Sequence, residues 1–443
     1  MDYNSFPKGS EKQKSIKIDP QIANIIRSFD AKNSLSYILN NIAKHELSDE
    51  QIQLIIGLVK EEIIIDASQL KKNALLKDMR ICAKCVNNNF IIPDLEFDEH
   101  GICSICQLYD KSMNEMMWAD NLVNDKTLMS YCEGNKSRFD VMVLYTGGKD
   151  SSFLLWYLAK KLKLRVLAAT WNMPFMQDSS LRNIESAMKR LPNVEFIQRT
   201  IRLDELREAT RIKMFKDGIP CLCPLIAYLL FYPVAIQENI PLIIDGAEKV
   251  QSIKIGRTFS KTTKDTMQAR DRDQTIAELM LLLRSLQRLN SNREEIPFIA
   301  DAKKIINYIC NKDNNIPIIK HLANTDLYES WGDIVTIIKK ELDWKAPTGQ
   351  NSLLHTSCKI EKVKDYCQYK LYKNIRSSNI PQSIKEISAA VYMGYITREE
   401  GLKEIDNTGY FAEPESINDL LEFVNLSRAD IDNFGGEFQY VIK

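Results

Sequence analysis

A pair of glycines between an apolar run and an amphipathic segment constrains this chain more than any other feature. Residues 141–144 are apolar, as in a buried strand, and residues 152–159 have the pattern of a helix. Between them lies Tyr-Thr-Gly-Gly-Lys-Asp-Ser, residues 145–151. Glycines permit a tight turn and close approach of an anion, while the N–H groups and dipole of a helix N-terminus favour negative charge. The sequence therefore predicts a phosphate-binding loop, although an ordinary glycine-rich turn is the simpler alternative.

This string is not a Walker loop, which has four residues between its glycines and ends in Gly-Lys-Ser/Thr. It resembles the PP-loop, Ser-Gly-Gly-x-Asp-Ser, of the ATP pyrophosphatases, with Thr146 replacing the first serine. The resemblance implies an enzyme that binds ATP with Mg²⁺, holds pyrophosphate as the leaving group and transfers AMP to a substrate oxygen. The residues predicted to bind the nucleotide are Thr146, Gly147, Gly148, Lys149, Asp150, Ser151, Thr170 and Gly246.

Two charged residues of the loop have alternative roles. Asp150 has no proton to donate to phosphate, so we expect it to cap the helix or to help hold Mg²⁺. Lys149 either neutralises phosphate charge or faces solvent. Thr170 and Gly246 lie at the ends of two other predicted strands, where doubly wound sheets bind their ligands.

Strands alternate with helices from residue 139 onward, which predicts an α/β fold with a doubly wound parallel sheet. A chain of 443 residues is too long for one compact core. We predict a helical N-terminal module (1–78), a cysteine-rich zinc knot (79–110), an ATP pyrophosphatase domain (111–350) and a mainly helical C-terminal region (351–443). Residues 260–345 are predicted to be mostly helical, with 276–283 buried, and Thr397 is predicted to be an N-cap.

Four cysteines form two Cys-x₂-Cys pairs, Cys82 with Cys85 and Cys103 with Cys106, separated by 17 residues. This spacing is typical of a tetrahedral thiolate site for Zn²⁺. Four protein ligands leave no open coordination position, so we expect a structural site rather than a catalytic one. Free thiols or an iron–sulfur cluster are the alternatives.

The knot and the loop together resemble the N-acetyl sugar amidotransferases of surface-polysaccharide biosynthesis. The resemblance extends over residues 97–106, 240–248, 343–345 and 397–401. It implies transfer of ammonia, supplied by a partner glutaminase, to an N-acetylated sugar. The chain departs from that family in its N-terminal module and in residues 353–358, where an aromatic and arginine-rich stretch is expected.

Three further cysteines, Cys221, Cys223 and Cys358, are predicted to lie on loops of the catalytic half. Three thiols can ligate a [4Fe-4S] cluster with one iron open, an arrangement that resembles the sulfur-transferring members of this superfamily. They can also carry a persulfide, because a low-pKa thiolate is a good sulfur nucleophile. Buried core thiols are the competing interpretation. With Asp150, these cysteines are the predicted catalytic residues.

We therefore predict adenylation of an amide or carboxyl oxygen, followed by its replacement with sulfur to give a thioamide or thiocarbonyl. Amidotransfer to a sugar is the alternative. The expected partners are a small-molecule or carrier-bound substrate and either a sulfur donor or a glutaminase. Lys+Arg equals Asp+Glu at 59 each, which argues against nucleic acid as a substrate and hence against tRNA thiolation. No apolar run reaches the roughly 20 residues of a membrane span and no secretory signal is visible, so a cytoplasmic protein is expected.

Overall fold

The computed structural model describes residues 79–433 and Ser48, except for residues 94, 113–121, 124, 247–249, 251–266, 288, 290–295, 323–327, 348–351, 355 and 376–379. The chain divides into two units, residues 1–78 and 79–443, and the structure described below is that of the second. The predicted N-terminal helical module lies outside the described residues, Ser48 excepted.

The described residues form one sheet of six parallel strands in the order β1-β6-β5-β2-β3-β4. The strands are β1 (Leu122–Val123), β2 (Val141–Leu144), β3 (Val166–Trp171), β4 (Val194–Arg199), β5 (Leu242–Asp245) and β6 (Ile318–Leu322). Strands β2 to β5 occur where the apolar runs predicted them.

The order of the strands reverses at β2. The chain runs from β2 outward through β3 to β4, then crosses back to β5 on the other side of β2 and continues to β6. Because crossovers between parallel strands are right-handed, the helices of the two halves pack on opposite faces of the sheet. This is the predicted doubly wound α/β fold, and its switch point lies between β2 and β5.

Burial explains the composition of the central strands. In β2, Val141, Met142 and Val143 are fully buried, and every residue of β3 is buried. Strands covered on both faces read as continuous apolar runs rather than as alternating ones, which is why β2 and β3 were visible in the sequence.

The helices of the described residues connect these strands and extend beyond the last one. They are α1 (Ser104–Ser112), α2 (Asp125–Cys132), α3 (Lys149–Trp156, continuing as a π-helix over Tyr157–Lys161), α4 (Asp178–Arg190), α5 (Leu203–Asp217), α6 (Cys223–Gln237), α7 (Met267–Gln287), α8 (Pro297–Cys310), α9 (Trp331–Leu342), α10 (Glu361–Ile375), α11 (Gln382–Tyr392), α12 (Arg398–Asp406) and α13 (Ile417–Phe423). None of them is long and apolar enough to cross a membrane.

Most of the described residues within 260–345 are helical, as predicted, in α7, α8 and α9, but a strand was missed and the predicted burial of residues 276–283 was wrong. Strand β6 interrupts the helices: four of its five residues pair with β5 and Leu322 pairs with β1, and so short a strand shows no clear apolar period in the sequence. In α7, Leu279 and Leu283 are buried but Leu281 is 73% exposed, because only one face of a helix meets the core. The predicted N-cap Thr397 is confirmed: it forms a capping box with Glu400 at the start of α12.

Candidate functional site

The glycine pair forms a turn at the switch point of the sheet, between the end of β2 and the start of α3. Gly147 has φ +71°, in the left-handed region, and Gly148 is the extended N-cap of α3. The hydroxyls of Thr146 and Ser151 lie 3.1 Å apart across this turn, and the N–H of Thr146 donates to Ser151 Oγ at 3.2 Å. The turn thus places two hydroxyls and a helix N-terminus together, as the predicted phosphate loop requires.

Gly147 cannot be replaced by a larger residue without a clash. A Cβ on it would lie 2.4 Å from the backbone oxygen of Ser180, at the start of α4. The carbonyl of Gly147 accepts hydrogen bonds from Asn183 Nδ2 and Trp344 Nε1, each at 3.0 Å. The turn is therefore held in one conformation by α4 and by the residues after α9.

Gly246 follows β5 and lies directly against the start of α3. A Cβ on Gly246 would be 3.0 Å from Cα of Ser151 and 3.1 Å from its nitrogen. Thr170, near the end of β3, donates from its hydroxyl to the carbonyl of Tyr145 at 2.8 Å. Both predicted residues therefore lie at the same edge of the sheet as the loop, and Thr170 also anchors it. Residues 247–249, including Glu248, lie outside the described residues.

The structure corrects one expectation for each charged residue of the loop. Lys149 does not face solvent: its side chain is 2% exposed, its ammonium lies 4.8 Å from the centre of the Trp331 ring, and it forms an ion pair with Asp150. Asp150 does not cap α3, because the N-cap is Gly148 and no side chain caps it. Asp150 instead lies in the first turn of α3, where the helix dipole stabilises its negative charge.

A distant segment completes the loop. The hydroxyl of Thr356 accepts from the N–H of Lys149 at 3.0 Å, and Cβ of Ser357 is 3.3 Å from where a Cβ on Gly148 would lie. Cys358 then pairs with Met176 in an isolated antiparallel bridge. Residues 356–358 therefore run from the glycine turn to the loop that follows β3.

All three predicted catalytic cysteines line one cleft of about 480 Å³, including its open mouth. Cys221 precedes α6, Cys223 is the first residue of α6, and Cys358 ends the segment just described. Cys221 and Cys223 are partly exposed, whereas Cys358 is 8% exposed. The three sulfurs do not all lie within 4.8 Å of one another, so this group is more open than a site for a single metal ion.

The charge state of the thiols differs from one to the next. The pKa of Cys221 is lowered to about 6, because it accepts a hydrogen bond from Cys223 and lies near the ammonium of Lys364. The same hydrogen bond raises the pKa of Cys223, and burial raises that of Cys358. Lys364 lies one turn into α10 and pairs with Glu361 at 3.4 Å. Cys221 is therefore the thiolate of the group at neutral pH.

The four cysteines of the knot lie together, as their spacing predicted. Their sulfurs are all within 4.8 Å of one another, with 4.0 Å between Cys82 and Cys106 and 3.8 Å between Cys85 and Cys103. A tetrahedral ion with bonds of about 2.3 Å to sulfur sets its ligands about 3.8 Å apart, and thiolates around a four-iron cube stand farther apart. The geometry therefore fits a single tetrahedral ion.

Helix α12 packs against the knot and hydrogen-bonds to its backbone. Arg398, the first residue of α12, donates from Nε to the carbonyls of Cys82 (3.1 Å) and Cys85 (3.2 Å), and from Nη2 to Cys82 (2.9 Å). A Cβ on Gly401 would be 2.4 Å from Val391 and 3.0 Å from Val86. The motif at residues 397–401 thus serves to dock the knot.

Comparisons with known proteins add little to this geometry. No family model matches the chain, and neither does any curated protein. Among solved structures, the chain is similar to the U34-tRNA thiolase NcsA from Methanococcus maripaludis with its [4Fe-4S] cluster. The identity is 15% and the TM-score 0.28, over 76% of this chain and 90% of that one. So low a similarity carries no argument about function, and the predicted closeness to sugar amidotransferases stays a prediction.

Sequence reasoning missed three residues that hold the loop: Asn183, Trp344 and Thr356. Trp344 carried a signal, since residues 343–345 belong to the sugar-amidotransferase pattern. No sequence pattern pointed to Asn183 or Thr356, because each contacts the loop only after distant segments of the chain have folded together.

Proposed function

We propose that the chain is an AMP-forming, ATP-dependent enzyme that adenylates an amide or carboxyl oxygen and replaces it with sulfur. One observation carries the proposal: Thr356 and Cys358, two residues apart, join the glycine turn to the cleft that contains the thiols. Two residues span at most about 7 Å, so the two functions lie side by side.

The loop supplies the first step. Pyrophosphate of ATP would lie against Thr146, Gly147, Gly148 and Ser151, whose hydroxyls and N–H groups are donors for phosphate oxygens. The substrate oxygen attacks the α-phosphorus, the bond to the bridging β-oxygen breaks, and pyrophosphate leaves. The protein contributes by positioning the reactants and by stabilising charge.

The thiols supply the second step. A sulfur-donor protein transfers one sulfur atom to Cys221, and the terminal sulfur of that persulfide attacks the activated carbon as AMP leaves with the substrate oxygen. The Cys223 sulfur then attacks Sγ of Cys221, which releases the thiocarbonyl product and leaves a Cys221–Cys223 disulfide. An external dithiol reduces this disulfide and restores both thiols.

Two groups would complete the site. Mg²⁺ would be held by carboxylates at this edge of the sheet: Asp150, and Asp245 at the end of β5, where it accepts from Tyr228 at 3.1 Å. Cys221, Cys223 and Cys358, which line one cleft, would be the ligands of a [4Fe-4S] cluster, which would supply an iron for binding sulfide. In the knot, we propose structural Zn²⁺.

The loop is tested by measuring AMP release from ATP and Mg²⁺ in the presence of the small-molecule fraction of a cell extract. Gly148→Asp places a carboxylate against Thr146, Thr356 and Ser357 and should abolish AMP release. Gly134→Asp is the control, because nothing lies within 4 Å of its Cβ and activity should persist. Equal activity in the two variants would contradict an ATP-cleaving loop.

Sulfur chemistry is tested separately, by treating the protein with polysulfide and mapping the added sulfur by mass spectrometry. Cys221 should gain one sulfur atom, and Cys221→Ser should lose that label while Cys310→Ser, which removes an exposed thiol elsewhere, keeps it. Labelling of Cys310 alone would refute a persulfide at Cys221. The alternative, a [4Fe-4S] cluster, is tested by anaerobic reconstitution with iron and sulfide. Cluster absorbance that appears in the wild-type protein and is absent from Cys358→Ser would show that these cysteines bind a cluster.

A further inference from the structure

The cleft that contains the three thiols has a fourth sulfur-bearing residue. Met173, in the loop that follows β3, lines the cleft with Cys221, Cys223 and Cys358. Sγ of Cys223 lies 3.5 Å from Sδ of Met173. The thiol of Cys223 is also hydrogen-bonded to the sulfur of Cys221. Cys223 therefore contacts both a second cysteine and a thioether.

The distance between Cys223 and Met173 is short enough for both sulfurs to bind one ion. Sulfur ligands about 2.3 Å from an ion lie about 4 Å apart in a flat three-coordinate site, and a smaller angle brings them nearer. The observed 3.5 Å falls just inside that separation. The three thiols are too open for a single ion, because their sulfurs are not all within 4.8 Å of one another. Met173 therefore offers the third ligand that Cys358 does not.

The rest of the cleft wall contributes little that would attract a hard ion. Glu361 lines the cleft, but its carboxylate is paired with Lys364 at 3.4 Å. The apolar part of the wall includes Phe175, Leu206, Leu222, Ile360 and Phe423. Carboxylates, carbonyls and water suit Mg²⁺ and Ca²⁺, whereas thiolates and thioethers select soft ions such as Cu(I). The lining of the cleft therefore favours a soft ion.

The number of ligands distinguishes Cu(I) from Zn²⁺. Structural Zn²⁺ takes four ligands in a tetrahedron, which is the number that the knot provides. Cys221, Cys223 and Met173 provide three, two of which become thiolates when their protons are lost to solvent. Cu(I) accepts two or three sulfur ligands. This set of three sulfurs therefore suits Cu(I) better than Zn²⁺.

We propose that Cys221, Cys223 and Met173 form a binding site for a soft monovalent cation, Cu(I). The ion is held by two thiolates and one thioether, and its oxidation state does not change on binding. The site does not depend on the proposed reaction. An ion bound there would block that reaction, because Cys221 would no longer be free to accept sulfur.

Binding is measured by titrating the protein with Cu(I) under argon, after Zn²⁺ has been supplied for the knot. At each step the cysteines that iodoacetamide alkylates are identified by peptide mapping. Bound Cu(I) should protect Cys221 from alkylation and leave Cys310, an exposed thiol elsewhere, reactive. Because the measurement is made on the Cys221 peptide, copper that binds to the knot does not contribute to it.

The ligand role of Met173 is tested by competition with the copper chelator bathocuproine disulfonate. Met173→Leu keeps a side chain of similar size and removes the sulfur. It should lose the protection of Cys221 at a chelator concentration about tenfold lower than the wild-type protein, because loss of even an outer-shell partner weakens metal binding by that factor. Met176→Leu is the matched control. It removes another buried thioether, one that does not line the cleft, and should behave as the wild-type protein does.

Three outcomes would overturn the proposal: Cys221 that stays reactive in the presence of Cu(I), loss of protection at the same chelator concentration in Met173→Leu and the wild-type protein, or equal protection by excess Zn²⁺, which would show that the site does not select a soft ion. No step consumes ATP or a sulfur donor. Failure here is therefore distinguishable from failure of the AMP-release and polysulfide assays.

Discussion

The backbone N–H of Lys149 donates to the hydroxyl of Thr356 at 3.0 Å, although 207 positions separate the two residues. This bond ties the start of the loop helix to the segment that carries Cys358. It makes the C-terminal region part of the candidate site rather than an appendage. The geometry of the loop therefore depends on residues that come after the whole sheet.

Removing that hydroxyl should destabilise the loop. Thr356→Val keeps the size of the side chain but leaves the buried N–H of Lys149 without an acceptor, so the free energy of unfolding should fall by about 1–3 kcal/mol. Thr356→Ser retains the oxygen and should lose much less. Denaturant unfolding of the two variants measures the difference; a loss in Thr356→Val no larger than that in Thr356→Ser would contradict a stabilising role for the hydrogen bond.

Gly147 should be far less tolerant than another glycine with the same backbone conformation. Gly147 has φ +71° and Gly134 has φ +72°, but only Gly147 would place a Cβ 2.4 Å from a backbone oxygen. Gly134→Ala should cost about 1–2 kcal/mol from the left-handed conformation alone. Gly147→Ala should cost at least about 3 kcal/mol, because the Ser180 backbone must move as well. Thermal unfolding compares them, and similar losses would contradict the close contact.

The alkylation rate of Cys221 should have an unusual pH dependence. Its pKa is lowered to about 6, so the thiolate is present above that pH and is lost as the pH falls through it. The rate with iodoacetamide should therefore rise through about pH 6 and then level off, whereas Cys358, whose pKa is raised by burial, should stay unreactive at neutral pH. Peptide mapping after timed alkylation separates the two residues.

The cause of this pH profile is tested at Lys364, with Lys312 as the control. Its ammonium lowers the pKa of Cys221, so Lys364→Met should move the alkylation profile to higher pH. Lys312→Met, at a residue that does not line the cleft, should leave the profile unchanged. If the alkylation profile of Cys221 does not move in Lys364→Met, the lowered pKa of Cys221 is due to the hydrogen bond from Cys223 alone.

Metal retention by the knot should depend on a residue more than 300 positions away. Arg398 holds the carbonyls of Cys82 and Cys85, so Arg398→Gln should increase the rate of metal loss to a chromogenic chelator about tenfold or more. Arg428→Gln, which removes an arginine paired with Glu413, is the control and should release metal at the wild-type rate. Unchanged release in Arg398→Gln would limit Arg398 to a packing role.

The elements that could be predicted from the sequence are those whose residues lie close together in the chain. The apolar runs of β2 and β3 and the loop between Thr146 and Ser151 all occur where they were expected. So does the grouping of the knot cysteines, because two Cys-x₂-Cys pairs need only a short connection to meet. Strand β6 was missed because its five residues form a strand only by pairing with β5 and β1.

The sequence by itself determined the doubly wound sheet, the glycine turn and the thiolate set of the knot, since each follows from residue type and short spacing. Only the tertiary structure decided that Cys221, Cys223 and Cys358 line one cleft, that Thr356 completes the loop and that Lys149 is buried against Trp331. Those relationships join segments that are distant in the chain. They are fixed by how the helices pack on the sheet, which no local pattern records.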